Sequence, residues 1–364
     1  MAMATDAQAA PRPAPAFLAA GAFGRAAWRE VAVLAAPALL LFGIFIVLPF
    51  VLAVAASFSN AKLLQGGQAA WVGLAQYGRL FGMHVVTVAP EADKTPMRQW
   101  RELRRASASM HEGYQYLASA ELGGRRWIVA ARDPQFLRAV ANTFWFALLV
   151  VPLQTVLALA MALAVNRSFP GRTLLRTVFF APVVTSMVVV SVVWGLLLHT
   201  DEGLVNRALM ALLGAGAPQP DWLGDARLAM PSIAIMSAWQ GAGFQMLVFL
   251  AGLQSIPKEL YEAAQVEGAT RWQQFVHVTL PGLRRTLVFV LLATTIAAFG
   301  LFTQVDVLTK GGPLDATTTI MHRAVQVGVR DQDVAYGSAM ALVFFVLVLA
   351  LSLAQKRVLA RMDR

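Results

Sequence analysis

Cysteine is absent from this chain of 364 residues, and charged side chains make up only 14% of it. The lack of cysteine excludes disulfides and thiolate chemistry. An average soluble domain carries roughly 25% charged residues, so this low charge, together with 58% hydrophobic residues, excludes an ordinary soluble protein. The composition therefore predicts a membrane protein.

Features of an enzyme are missing as well. No glycine-rich loop ending in Lys and Ser or Thr is present to bind phosphate, so any ATP that drives the protein is hydrolysed by another chain. No nucleophile pairs with a base, and no RNA- or DNA-binding motif occurs. The histidines lie outside the apolar runs and lack the helical spacing of metal ligands: His84, His111, His199, His277 and His322. We expect no catalytic residue, no metal site and no cofactor on this chain.

Long apolar runs organise the sequence. Six stretches contain no Lys, Arg, Asp or Glu and are long enough to cross a hydrocarbon core of about 30 Å at 1.5 Å per residue. They are residues 31–57, 143–165, 177–198, 229–253, 287–305 and 335–355. The sequence thus predicts an all-α membrane protein with six transmembrane helices, the last five of which form a core over residues 143–355.

Lysine and arginine predict which side of the membrane each short connection faces, because inner connections carry the excess. With the N-terminus inside, the inner segments hold most of them: Arg12, Arg25, Arg29, Arg167, Arg172, Arg176, Lys258, Arg271, Arg284, Arg285, Lys356, Arg357, Arg361 and Arg364. The two short outer loops hold only Arg207, Arg227, Lys310, Arg323 and Arg330. Both termini are therefore predicted to be cytoplasmic, as a disordered tail over 1–30 and a short tail over 356–364. The net charge of +10 favours contact with anionic lipid headgroups rather than nucleic acid.

The segment between the first two spans, residues 58–142, is too long for a plain connection. Residues His84 to Val88 and Trp127 to Ala130 have strand patterns, and Pro96 to Ala106 has the pattern of a basic helix. These patterns predict a small mixed α/β subdomain on the outer side. It is either a solvated cap or a contact surface for a soluble partner.

A compact polar insert separates the fourth and fifth spans. Pro257 fixes a backbone angle suited to a helix start, Gly268 breaks the helix, and Thr270 with Gln273 forms a capping box that opens a second helix. Pro281 is expected to close that second helix. The insert therefore predicts helix, tight turn, helix, and its Ala- and Gly-rich turn leaves room for a partner's surface to close around it.

This insert resembles the Glu-Ala-Ala loop of binding-protein-dependent ABC transporter permeases. The family pattern is Glu-Ala-Ala, three residues, Gly, nine residues, an aliphatic residue, any residue and Leu-Pro. At that spacing the chain has Glu262, Ala263, Ala264, Gly268, Val278, Leu280 and Pro281, with Val278 in place of the usual Ile. Further stretches are similar to the sugar-uptake branch, which includes the maltose, lactose and glycerol-3-phosphate permeases: residues 71–77, 142–143, 307–313 and 336–341.

The resemblance implies an inner-membrane importer of several subunits. Its parts are two permeases, two cytoplasmic ATPases that bind ATP and Mg, and an extracytoplasmic solute-binding protein. Within a coupling loop over 255–285, the resemblance assigns contact with the ATPase to Glu262, Ala263, Ala264, Glu267, Gly268, Leu280 and Pro281.

Polar residues near the middle of the predicted spans are candidates for the solute path. Gln154, Trp239, Gln240 and Gln245 are the residues we assign to it, since an aromatic face beside amides suits a sugar. Thr185, Ser186, Thr294 and Thr295 lie at similar depth. The alternative is hydrogen bonding between helices, with Trp239 as a packing residue.

Two other functions remain open at this point. A secondary transporter or channel working alone usually carries ionisable groups within its spans, and the six apolar runs contain none. The second alternative is a membrane scaffold in which the outer subdomain is the functional part. The sequence does not identify the solute, which ranges from sugars and polyols to glycerol-3-phosphate.

Overall fold

The computed structural model describes residues 25–64, 69–91, 93–107, 112–214 and 216–361. Residues 1–24 of the predicted disordered tail lie outside this set, while helix α1 already begins at Arg25. The chain divides into two units between Ala53 and Val54. The first unit contains α1 (Arg25–Phe42), a π-helical turn (Gly43–Val47) and the start of α2 (Leu48–Ser57).

The second unit begins with a small α/β subdomain. It contains α3 (Ala75–Phe81), β1 (Met83–Val88), α4 (Pro96–Ala106), β2 (Gln115–Leu122) and β3 (Arg125–Ala131). The three strands form an antiparallel sheet in the order β1-β3-β2, and α4 packs on one face through Trp100 against Ile128 and Ala130. The predicted strands and the predicted helix are confirmed. The sequence did not predict β2, because its Ala-, Ser- and Glu-containing stretch has little β propensity.

Helices make up the rest of the unit. They are α5 (Pro134–Asn166), α6 (Arg172–Val184), α7 (Met187–Leu197), α8 (Leu204–Leu213), α9 (Ala229–Gln254), α10 (Lys258–Val266), α11 (Arg271–Gln274), α12 (Leu280–Gly282), α13 (Arg284–Phe299), α14 (Thr303–Leu308), α15 (Ile320–Val325) and α16 (Val334–Arg361). A π-helical turn, Phe275–Thr279, joins α11 to α12. A second one, Gln326–Arg330, follows α15. Helices α5 and α9 form the centre of the unit, where the small side chains of Ala158, Ala162 and Ala242 allow close approach.

Four of the described helices are long and apolar enough to cross a membrane: Ala32–Ser57, Pro134–Asn166, Ala229–Gln254 and Val334–Arg357. The other two predicted spans fall on bent pairs. Helices α6 and α7 meet at 100°, so the run 177–198 is not one straight helix, and Arg271–Gly282 meets α13 at 68°. Composition alone does not show a bend, although Pro182 near the first break is a local cue. The fold is mostly helical, with four to six candidate spans.

The segment between α14 and α15 folds into a tight loop. Lys310, Leu314 and Asp315 have positive φ angles, and hydroxyls of Thr317 and Thr318 donate to the carbonyls of Gly312 and Gly311 at 2.7 and 3.1 Å. These bonds close the loop on itself between Gly311 and Thr318.

Candidate functional site

A cavity of about 160 Å³ lies among α5, α7, α9, α13 and the start of α14. Its polar lining comes from Gln154, Ser237, Gln240, Thr294 and Gln304, and the remaining lining is apolar or glycine. Every side chain around it is uncharged. The structure therefore brings two of the four predicted path residues, Gln154 and Gln240, to one place.

Glycine makes room for the amide of Gln154. A Cβ atom added at Gly241 would lie 2.3 Å from Gln154 Nε2, closer than two such atoms can approach. Next to it, Gln304 Nε2 donates to Ser237 Oγ at 3.4 Å, a long hydrogen bond that leaves both groups with capacity for further partners. Amides and hydroxyls with such spare capacity can exchange partners with a hydroxylated solute.

Gln245 and Trp239 lie outside this cavity. Gln245 is buried, and its Nε2 donates to Thr294 Oγ1, which in turn donates to the carbonyl of Val290 at 2.6 Å. Trp239 is 39% exposed, and its ring lies 5.7 Å from that of Trp194. Gln245 is therefore joined to the cavity lining through Thr294, and Trp239 is not part of that lining.

Ser237 and Gln304 line the cavity but were not among the predicted path residues. Ser237 lies three positions before Gln240 and therefore shares its helix face, which the sequence could have shown. Gln304 follows the end of α13 at Phe299 and belongs to α14, so its position depends on a chain break that composition does not reveal. The predicted span 287–305 is accordingly shorter as a helix. Thr185 and Ser186 lie at the break between α6 and α7, and Thr295 accepts a 2.9 Å bond from Gln355.

The second candidate site is the polar insert. Pro257 precedes α10, and the backbone reverses at Gly268, which has a φ of +77°. Ala269 N donates to the carbonyl of Ala264 at 2.9 Å, and Thr270 with Gln273 forms the predicted capping box at the start of α11. The predicted order of helix, tight turn and helix is confirmed.

The turn is open to solvent. Ala263, Ala264, Glu267 and Gly268 line a hollow of about 400 Å³ whose other wall includes His277. Val266 is 89% exposed and Trp272 is 71% exposed, although both are apolar. Exposed apolar side chains of this size beside a concave surface are typical of a protein interface. Glu262 is exposed on α10, the helix that precedes the turn.

Leu280 and Pro281 lie outside that hollow, in α12. The second helix runs from Arg271 through the π turn to Gly282, one residue past Pro281, and the chain then bends by 68°. The prediction that Pro281 closes this helix is confirmed to within one residue. The bend follows Gly282, where a Cβ atom would lie 2.8 Å from Ile256. Tyr261 Oη and Thr279 Oγ1 are 3.0 Å apart and join α10 to the π turn.

Among the described residues no three His, Asp or Glu side chains come together in a way that could hold a metal ion. His322 is the most buried of the described histidines and lies 3.5 Å from Asp306. Burial lowers the pKa of His322, and the positive charges of Arg330 and Arg323 lower it as well. The negative charge of Asp306 opposes this shift.

Comparison with known proteins decides the family. Residues 154–364 match the model of the binding-protein-dependent transport system inner membrane component. The chain belongs to this family. It is therefore a transport permease of the inner membrane. The match covers the cavity from Gln154 onward and the whole polar insert.

Curated relatives agree. The chain is 33% identical to the trehalose/maltose transport system permease protein MalF of Thermococcus litoralis, over 69% of this chain and 84% of that protein. It is 32% identical to the probable ABC transporter permease YurN of Bacillus subtilis, over 65% of this chain and 81% of the relative. The arabinooligosaccharide permease AraP of Bacillus subtilis is 30% identical over 62% of this chain and 72% of its own length.

A solved structure has the same fold. A bacterial ABC transporter that imports the acidic polysaccharide alginate contains a chain with a TM-score of 0.68 to this one, at 22% identity, over 93% of this chain and 96% of that chain. The similarity therefore covers nearly the whole chain.

Proposed function

We propose that this permease forms, with a second permease, the path for a sugar or related solute in an ABC importer. Two partner ATPases that bind ATP and Mg drive it, and a solute-binding protein delivers the solute on the outer side. The family and the named relatives, which serve trehalose, maltose and arabinooligosaccharides, support a carbohydrate. The chain crosses the membrane six times with both termini in the cytoplasm, and residues 58–142 lie outside.

The cavity of Gln154 and Gln240 is one stretch of the solute path. It contains only neutral hydrogen-bonding groups and no charge. Amides and hydroxyls can bind sugar hydroxyls and release them again, whereas a charged group would hold a polar solute more tightly. Trp239 and Gln245 belong to the solute path but lie outside this cavity. Gln245 fixes the position of Thr294, which lines the cavity.

The observation that carries the proposal is the exposed turn around Gly268. Its small residues surround a hollow, and the apolar side chains of Val266 and Trp272 beside it are exposed. Burying such surface in a partner stabilises the complex by roughly 25 cal/mol per Å². The turn, including Glu262, Ala263, Ala264 and Glu267, is the contact with the ATPase, while Leu280 and Pro281 connect it to α13.

The substitution Gly268→Asp tests this contact. Among the described residues, no atom lies within 4 Å of a Cβ at Gly268, so the new side chain obstructs only a partner. Gly214→Asp is the matched control, because Gly214 also has a positive φ, +94°, and open space around its Cβ. Both variants add the same charge at a position with a positive φ angle, where any side chain strains the backbone.

The tagged permease is isolated from its native membrane in mild detergent, and co-purifying proteins are identified. We expect an ATPase and a second permease with the wild type and the Gly214 variant, and loss of the ATPase with Gly268→Asp. Normal ATPase recovery and normal uptake in Gly268→Asp would overturn the assignment. Recovery of this chain alone from an intact wild-type preparation would favour a stand-alone transporter instead.

A further inference from the structure

Three arginines from different elements converge on a second cavity. Arg79 from α3, Arg132 at the end of β3 and Arg323 from α15 line a space of about 400 Å³ where the α/β subdomain meets the helices. This cavity shares no lining residue with the solute-path cavity.

Two of these guanidinium groups are poorly matched by acceptors. Arg132 is exposed, and its Cζ lies over the ring of Tyr114, 5.2 Å from the ring centroid. Arg323 approaches Asp133 only to 3.9 Å, and its Nε atom is buried without a hydrogen-bond partner among the described residues. Each guanidinium offers five N–H donors, so the cavity has donors to spare.

The carboxylates nearby are largely engaged. Asp133 accepts from the backbone of Phe136 at 2.9 Å and from the Tyr336 hydroxyl at 2.8 Å. Asp333 is paired with Arg79 at 3.4 Å. Glu112 on the rim is the remaining acidic side chain of the lining. The lining therefore keeps a net positive charge and can accept one more carboxylate from outside.

We infer that this arginine pocket receives an acidic side chain of the solute-binding protein. This inference depends on the proposed function, which places the pocket on the outer side. A solute carboxylate is the less favoured source, because the lining of the solute-path cavity carries no positive charge that would accompany an anion inward. Arginine presents a planar fork that binds a carboxylate through two hydrogen bonds, so the pocket also fixes the orientation of the docked protein.

The test uses the complete transporter in lipid nanodiscs with its purified solute-binding protein. ATPase activity is measured against binding-protein concentration for wild type, Arg132→Gln and Arg132→Glu. Arg105→Gln is the matched control, since Arg105 is an exposed arginine of the same subdomain, on α4, and does not line the pocket. We expect the half-stimulating concentration to rise about tenfold for Arg132→Gln and further for Arg132→Glu, and to stay within about twofold for Arg105→Gln.

Salt separates the pocket from general steering. The wild-type half-stimulating concentration should rise between about 50 and about 300 mM NaCl, and this rise should be smaller in Arg132→Gln. Equal shifts for Arg132→Gln and Arg105→Gln would overturn the inference. The inference would also be overturned if Arg132→Gln raised the KM for the solute at saturating binding protein without changing the half-stimulating concentration of binding protein. The carboxylate in the pocket would then come from the solute. If the wild type shows no stimulation by the binding protein, the proposed function itself fails.

Discussion

The hydroxyl of Tyr336 donates a 2.8 Å hydrogen bond to the carboxylate of Asp133, which lies 203 positions earlier in the chain. Asp133 also caps the N-terminus of α5 by accepting from Phe136 N, while Tyr336 belongs to the first turns of α16. One carboxylate thus joins the end of the sheet, the start of the longest helix and the last helix. Both residues are buried, and both line the arginine pocket.

Asp133→Ala should destabilise the permease by about 2–4 kcal/mol, because it removes both a helix cap and the acceptor of the Tyr336 hydroxyl. Tyr336→Phe should cost only about 1.5 kcal/mol, since the cap at Phe136 remains. Thermal unfolding of the purified complex in detergent measures both. A larger loss for Tyr336→Phe than for Asp133→Ala would contradict this role of the cap.

Asn142 holds the loop between α14 and α15. Its Nδ2 donates to the carbonyls of Asp315 and Thr318 at 2.7 and 2.9 Å, and the hydroxyl of the next residue, Thr143, accepts from Ile320 N at 3.1 Å. Asn142→Asp keeps the shape of the side chain but replaces both donors with a charge that faces two carbonyl oxygens. We expect faster amide hydrogen exchange over residues 309–319 in Asn142→Asp, with little change over β1–β3. Unchanged exchange in that loop would show that its own threonine bonds are sufficient.

Sequence similarity and structure meet at this loop. Residues 142–143 and 307–313 resemble the family at two distant places, and the structure shows that the first pair holds the loop that continues from the second. The capping box at Thr270 and the strand that ends at Val88 were predictable, because each depends on local spacing or on composition. The break at Thr185 and the position of Gln304 depend on how helices pack against each other, which an apolar run does not specify.

Two glycines of α9 predict opposite outcomes when replaced by alanine. At Gly241 the new methyl group meets the flexible end of Gln154, whereas at Gly243 it would lie 2.3 Å from the backbone carbonyl of Phe179 in α6. Gly243→Ala should therefore cost about 1–3 kcal/mol, since α6 must move. Gly241→Ala should leave the unfolding temperature nearly unchanged but raise the KM for solute uptake several-fold, because Gln154 is displaced.

Unfolding temperature and uptake kinetics are measured on both variants. A reversed order of stability would contradict the close packing of α6 against Gly243. An unchanged KM in Gly241→Ala would count against a role for Gln154 in the solute path while leaving the fold untouched.

His322 predicts a pH dependence of stability. Its side chain is 2% exposed, and burial lowers its pKa in the folded protein below the ordinary value of 6.5. The charged groups around it are Asp306, Arg330 and Arg323. Since Asp306 already accepts two bonds from Arg330 at 2.7 and 2.9 Å, its carboxylate offers a protonated His322 little compensation.

The sign follows from proton binding in the two states. Below pH 6.5 the unfolded chain binds a proton at this histidine while the folded chain does not, so stability is full above that pH and falls as the pH is lowered. The loss is at most about 1.4 kcal/mol per pH unit until the folded pKa is reached. His322→Gln should show a smaller fall in unfolding temperature between about pH 7.5 and about pH 5.5 than the wild type, and His277→Gln, which changes an exposed histidine, should behave like the wild type. If His322→Gln kept the wild-type dependence of unfolding temperature on pH, the acid sensitivity would come from other titratable groups, because this variant cannot bind a proton at position 322.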